Sequence, residues 1–372
     1  MKLTLQIKLL PDDKQSKSLI ETLKECNRVC NNISDTAWQN KIFNKFKLHH
    51  LVYHKIKSTS KLSAQALVRC IGKVADAYKK DKKTKRKFKP LGAIIYDIRI
   101  LSYNIEKQIV SIWSVDGRLK ISFVCHNPKY LPYIKGEADL VYKKGKFFLF
   151  QTVEVPEDDV KNVEEFIGVD FGINNIATLS DGTQYGSEQL DKVRNRYFKT
   201  RKSLQSKGTP GSRKCLKRLK GREKRHASVT NHTISKRIVE KAKTESKGIA
   251  IEDLTYIRER TKVRKTQRRR HHSWAFAQLR SFLEYKAKLI GIPLAIVDPH
   301  YTSKICNVCK MIGNRKGSSF SCPDCGNIAD ADENAAKNIA QLGALCRQPR
   351  KDVSMLNFVS HIPLKADCFS CQ

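Results

Sequence analysis

Two short apolar runs in this chain end in a carboxylate: Phe166-Ile-Gly-Val-Asp170 and Gly248-Ile-Ala-Ile-Glu252. Their composition reads as buried strands. In the first, strand alternation places Phe166, Gly168 and Asp170 on one face. A charge in such a place is costly unless something neutralises it, and metal coordination does so. A chain with these two segments must therefore bring both acids to one sheet edge or bond each one locally. A third acid, Asp332, opens a helical stretch in Ala331-Asp-Glu-Asn-Ala-Ala336.

Each acid also has a plainer reading. Asp170 and Glu252 could bond the loops that follow their strands, and Asp332 could be a helix N-cap, a position that favours Asp. Asp253 and Asp330 are adjacent competitors that spacing alone does not exclude. As an ordered set, the three acids fit two magnesium ions about 4 Å apart, activating water and stabilising a leaving oxygen.

The charge balance points to the substrate. Lys and Arg outnumber Asp and Glu 72 to 36, a net charge of +36. Charge on that scale opposes compaction unless a polyanion neutralises it, so nucleic acid is the expected partner. A ribosomal-type or merely cationic protein is the alternative. No long amphipathic basic helix suggests a membrane surface, and no apolar run reaches the roughly 20 residues that span a bilayer. The first ten residues alternate as a strand does, with Lys8 breaking any signal-peptide core. The expected location is cytoplasmic, nucleoid-associated in a prokaryotic host.

Twelve cysteines in a reducing compartment imply metal ligands or buried thiols rather than disulfides. Cys306-x2-Cys309 and Cys322-x2-Cys325 form two knuckles suited to tetrahedral zinc, with a glycine- and serine-containing turn between them. Four protein ligands make such a site structural. Cys368 and Cys371 have no second pair nearby and are read as incidental. The run Thr261-Lys-Val-Arg-Lys-Thr-Gln-Arg-Arg-Arg-His-His272 is too charged to pack, which makes Lys262, Arg264, Lys265, Arg268, Arg269 and Arg270 candidate phosphate contacts. A basic run over residues 199–225 could line the same channel. Trp274, Leu279, Leu283 and Leu289 are placed as a core stripe, although Trp274 and Phe276 could stack on a base. His226, Asn231 and His232 suit either RNA contact or helix packing.

The periodicities predict a multidomain α+β and α/β chain. A strand over residues 1–10 precedes helices within 11–87, and short strands over 94–101, 109–113, 118–122, 138–142 and 146–153 suggest a small β-barrel. The first strand should join the barrel, making the helical block an insertion. Beyond residue 161, strands at 166–171, 176–179, 248–252 and 293–297 alternate with helical stretches at 187–242 and 274–290 and a last helix at 333–344. That order fits an RNase H-like α/β fold. The expected boundaries are 1–10 with 88–160 for the barrel, 11–87 for the helical domain, and 161–300 with 329–345 for the α/β domain. The zinc ribbon takes 301–328 and a tail 346–372.

These motifs resemble the TnpB family, transposon-encoded RNA-guided nucleases regarded as ancestors of type V CRISPR effectors. Gly168-Val-Asp-Phe-Gly-Ile-Asn174 with Ala177-Thr-Leu-Ser-Asp-Gly182 resembles the first RuvC motif, and Ile251-Glu-Asp-Leu254 the second. Thr302-Ser-Lys-Ile-Cys-Asn-Val-Cys309, Cys322-Pro-Asp-Cys-Gly326 and Ala331-Asp-Glu-Asn-Ala-Ala-Lys-Asn-Ile339 resemble the zinc ribbon and third motif. The likeness covers residues 165–345. The amino-terminal half agrees in layout alone, a wedge-like barrel with an inserted helical recognition domain.

The resemblance implies Asp170, Glu252 and Asp332 as magnesium ligands, ahead of Asp253 and Asp330. It also implies one RuvC-type site cutting both strands of DNA, addressed by a transposon-end RNA and a short adjacent motif. Contacts to the guide would be mainly to backbone and shape. Two other activities remain open: an RNA-guided repressor that binds without cutting, which would lack the complete acid set, and a transposase that joins strands.

Overall fold

The structure is a computed structural model that describes residues 1–254 and 276–347. Lys262, Arg264, Lys265, Arg268, Arg269, Arg270, Trp274, Cys368 and Cys371 lie outside the described residues. The chain divides into two compact units, the first Met1–Pro156 and the second beginning at Glu157. Among the described residues no helix is long and apolar enough to cross a membrane.

In the first unit, β1 (Lys2–Leu10) is followed by α1 (Asp13–Asn40), α2 (Lys45–Thr59) and α3 (Ala64–Lys80). Six strands complete it: β2 (Ile94–Tyr96), β3 (Leu101–Asn104), β4 (Ile109–Ser114), β5 (Gly117–Cys125), β6 (Ile134–Lys143) and β7 (Lys146–Glu154). They form one sheet in the order β2-β6-β7-β1-β5-β4-β3. The first strand thus lies inside the sheet, burying Leu5, Ile7 and Leu9. It passes directly into α1 through a capping box, in which Asp12 accepts from the Gln15 N–H and Gln15 reaches back to the Asp12 N–H.

The expected strand over residues 94–101 is corrected. Asp97 turns the chain, with its carboxylate accepting the Arg99 N–H and its carbonyl the Ile100 N–H. The turn places one half of the segment at each edge of the sheet. Across the remaining gap, the Tyr96 hydroxyl of β2 donates to the Trp113 carbonyl of β4 at 2.9 Å. The sheet is nearly closed.

The second unit is built on β8 (Phe166–Asp170), β9 (Asn175–Leu179), β10 (Gln184–Gly186), β11 (Gly248–Glu252) and β12 (Leu294–Val297), in the order β10-β9-β8-β11-β12. Strands β8, β11 and β12 run parallel, and β9 runs antiparallel to β8. Around the sheet lie α4 (Glu188–Lys207), α5 (Pro210–Leu219), α6 (Arg222–Thr244), α7 (Phe276–Leu289) and α8 (Ala331–Arg347). A small sheet of β13 (Asn314–Lys316), β14 (Ser319–Ser321) and β15 (Ile328–Asp330) precedes α8.

Both faces of the parallel strands are covered, which is why their sequences are continuously apolar. Ile167, Val169, Ile249 and Ile251 pack with Ile238 of α6 and with Leu279 and Leu283 of α7, while Phe166 and Ala250 pack with Ile339 of α8. Two further expectations are corrected. The helical stretch at 187–242 is three helices, broken where Gly208 takes a left-handed φ of 63° before Pro210 and where Gly221 takes 85°. Strand β10 was not anticipated. The last helix begins at Ala331 rather than Glu333.

Candidate active site

Strand register brings the first two acids together. Gly248, Ala250 and Ile251 of β11 pair with Phe166, Gly168 and Val169 of β8, so the next residues in line are Glu252 and Asp170. On the other side, Asp170 pairs with Thr178 of β9. Residues opposite one another point to the same face, so Thr178, Asp170 and Glu252 form a row across three strands. Both acids are nearly buried, 9% and 7% exposed.

Helix α8 delivers the third acid to that face. A Cβ added at Gly168 would lie 1.9 Å from the Ala336 carbonyl oxygen, so helix and strand touch backbone to backbone here. At Gly343 an added Cβ would lie 2.5 Å from Ala250 Cβ. Asp332 precedes Ala336 by four residues, a helical rise of ~6 Å. Asp170 follows Gly168 by two, a strand rise of ~6.6 Å. Helix and strand run in opposing senses, so the two acids converge at one end of the contact. Asp332 Oδ2 accepts from Asn175 Nδ2 at 3.5 Å, and lies 3.6 Å from the Cβ position of Gly172, in the loop after β8.

The competing acids have other partners. Asp330 Oδ1 accepts the N–H groups of Asp332 at 3.0 Å and Glu333 at 3.1 Å, so Asp330 caps α8. The N-cap reading of Asp332 is thereby corrected. Asp253 bonds Arg280 at 2.6 Å.

The acids are short of positive charge. Burial, then the neighbouring Glu252 and Asp332, pushes the Asp170 pKa well above the usual carboxylate range, against the pull of Arg315. Burial also raises Glu252, although the Thr302 hydroxyl and Arg315 oppose it. Thr302 Oγ1 donates to Glu252 Oε1 at 2.5 Å, and Arg315, on β13, donates to Asp332 Oδ1 at 2.8 Å. The oxygen-only donor set suits a hard divalent cation. So does Thr178, whose buried Oγ1 has no hydrogen-bond partner among the described residues. Magnesium fits the residues present.

The cysteines form a tighter cluster. Sγ atoms of Cys306, Cys309, Cys322 and Cys325 all lie within 4.8 Å of one another, the only such group of ligand atoms among the described residues. Cys306 and Cys325 are 3.7 Å apart, and Cys309 and Cys322 3.4 Å. A zinc tetrahedron with ~2.3 Å bonds has edges of ~3.8 Å, so the cluster could hold zinc. Burial opposes the Cys306 thiolate, but N–H donors of Cys309 and Val308 and the Asn327 amide hold its pKa down to about 6. The Met311 N–H favours the Cys309 thiolate, yet burial and the neighbouring thiols push it up to about 12. One thiolate discourages the next until a cation joins them.

Asn334 and Asn338 of α8 connect this cluster to the acids. Asn334 accepts the Asn307 N–H at 2.9 Å and donates to the Ile305 carbonyl at 2.8 Å, while Asn338 donates to the carbonyls of Thr302 and Ile305. These asparagines, with Thr178, Thr302 and Arg315, carry no signal of their own in the sequence. All but Arg315 lie in the quoted motifs, and Arg315 lies in the turn between the knuckles. Of the other candidates, Asn231 is buried and bonds Gln278, and the His232 ring stacks on Phe282 at 3.7 Å, so helix packing accounts for both. His226 is exposed, and Leu279 and Leu283 are core residues.

Comparison with known proteins adds an independent measure. A family model described as OrfB_IS605, Probable transposase, matches residues 150–264, and one described as Cas12f1-like, TNB domain, matches 276–339. The chain is 32% identical over 216 residues to TnpB-like protein MJ0751 of Methanocaldococcus jannaschii, covering 54% of this chain and 76% of that one. It is also 32% identical over 219 residues to the CRISPR-associated endodeoxyribonuclease Cas12f1 of Sulfoacidibacillus thermotolerans, covering 53% of this chain and 50% of the relative. The match thus spans only half of that second protein. A cryo-EM structure of a Cas12f1-sgRNA-target DNA complex shares the fold, with a TM-score of 0.59 at 16% identity, over 88% of this chain and 83% of that one.

Proposed function

The chain belongs to the TnpB family, and from that premise we propose that it is an RNA-guided DNA endonuclease. Its acids Asp170, Glu252 and Asp332 form a RuvC-type site on an RNase H-like domain that hydrolyses target DNA. The nearly closed sheet is the wedge domain, and α1–α3 are the recognition domain inserted into it. A transposon-end RNA supplies the address, and double-stranded DNA is the target. The named activity of the Cas12f1 relative, and the sgRNA and target DNA that the structural neighbour carries, support this reading.

The observation that carries it is the row of Asp170 and Glu252 beneath the first turn of α8, where Asp332 meets them. Two magnesium ions held there would activate a water and stabilise the leaving oxygen of an in-line displacement. The chain's own groups do the rest. Thr302 orients Glu252 through its hydroxyl, and Asn175 and Arg315 orient Asp332. Arg315, about one-third exposed, can also offer its guanidinium to a phosphate. The zinc-held ribbon fixes the strand from which Arg315 reaches.

The test uses the purified protein with the RNA it retains. Supplied with magnesium, it should linearise a plasmid carrying the guide match, and Asp170→Ala should keep the RNA yet leave the plasmid intact. Failure of the unsubstituted protein to cut in a guide-dependent way would refute the proposal. The description Probable transposase favours a second reading, strand transfer, because hydrolysis and transesterification share this chemistry. Joined DNA products rather than free ends would favour it. The complete acid set argues against a repressor that only binds.

A further inference from the structure

The hydroxyl of Thr178 is bonded by no other group among the described residues. The residue lies in β9 directly opposite Asp170, with its side chain on the same face, and is 1% exposed. A buried hydroxyl without a partner costs stability, so a methyl group in its place would suit the fold better. Across the same row, Glu252 receives the hydroxyl of Thr302 at 2.5 Å. Asp170 receives none from Thr178. The two ends of the row are therefore unlike: one threonine bonds its acid, and the other keeps a donor and acceptor beside its acid.

We propose that Thr178 is a positioning residue for the divalent cation held at Asp170, its hydroxyl hydrogen-bonding a water in that cation's coordination shell. The proposal rests on the active-site reading above. Magnesium and its analogues keep several waters when protein carboxylates bind them, and those waters need partners in a site this enclosed. Groups that hold a metal's ligands in place govern affinity as well as geometry. On the sheet side Thr178 is the residue paired with Asp170, while α8 covers the row from the other direction and offers Asp332.

The test is direct binding of manganese, a paramagnetic stand-in for magnesium, to the full zinc-loaded chain with its RNA, with free ion counted by electron paramagnetic resonance. Thr178→Val should bind manganese about tenfold more weakly, while Thr178→Ser should stay within about twofold of the parent. Without added divalent ion, Thr178→Val should melt no lower than the parent, since an unpaired hydroxyl is removed. It should also lose part of the rise in melting temperature that manganese confers. Unchanged affinity in Thr178→Val, or equal loss in Thr178→Ser, would overturn the proposal. If the valine variant does not fold, Thr178→Ser against Thr178→Ala asks the same question. Asp170→Asn separates the two levels. Loss of manganese there without loss in Thr178→Val defeats the threonine's role alone, whereas parent-like affinity in Asp170→Asn defeats the site and the role together.

Discussion

The four cysteines and the three carboxylates gather donors for a cation in opposite ways. The thiols are drawn within 4.8 Å of one another and supported by N–H groups and an amide. The carboxylates are held apart by rigid elements, two on strands and one on a helix. Burial pushes Asp170 and Glu252 toward their neutral forms. A closed shell of four soft donors serves holding. An open set of hard donors, short of charge, leaves room for substrate and for change of coordination during a reaction. The contrast separates scaffold from chemistry within one small region.

The sharpest way to break that contrast is to remove one member of each set. Asp170→Ala should lower guide-directed cleavage by about a thousandfold or more, as expected when several kcal/mol of metal-assisted stabilisation is lost, while melting and RNA retention persist. Cys322→Ser should instead release the zinc, measurable by metal analysis, and expose residues 301–328 to protease, with cleavage falling because the ribbon no longer presents Arg315. If zinc content stayed at one equivalent, the structural role of the cluster would be wrong.

A subtler probe is Gly168→Ala. Its new Cβ would lie 1.9 Å from the Ala336 carbonyl and 2.5 Å from the Ala340 nitrogen, both backbone atoms that cannot swing away. Overpacking of this kind costs about 1–3 kcal/mol, so the melting temperature should drop by several degrees. Cleavage should fall more than stability does, because Asp332 rides on the displaced helix. Melting that matches the parent would mean that α8 does not touch β8 as described.

The smallest effect concerns pH. The raised pKa of Asp170 means that its protonated form is the one the fold favours. Its stabilising contribution is complete below the unfolded value of about 3.9 and is lost as pH rises through the higher folded value. Metal-free Asp170→Asn should therefore melt a few degrees above the parent at neutral pH, with the gap closing as the buffer approaches pH 4. A constant gap across that range would show that ionisation of Asp170 is not its cause.

Much of the site was legible because strand composition reveals burial. Asp170 and Glu252 were readable from the apolar runs that carry them, and the knuckle spacing marked the four cysteines. The choice between Asp330 and Asp332 was not readable from spacing and came only from the family resemblance. Either residue can cap a helix, and it is the N–H groups of Asp332 and Glu333 bonding Asp330 that assign the cap to one and free the other. Thr178, Thr302 and Arg315 were invisible for the same reason, since their relevance comes from register and long-range approach. In the first unit, the break at Asp97 escaped because its flanks, Ile94-Ile-Tyr96 and Ile100-Leu101, are strand-like throughout.

Helix α8 has one further consequence. Asp330 caps it, Asn334 and Asn338 tether it, and Gly168 receives it. Asp332 does none of these jobs. On the function proposed above, a single change there would silence the blade while the handle kept its shape. On that reading, chemistry and architecture are written in different residues of the same helical turn, and the first can be lost in one step without the second.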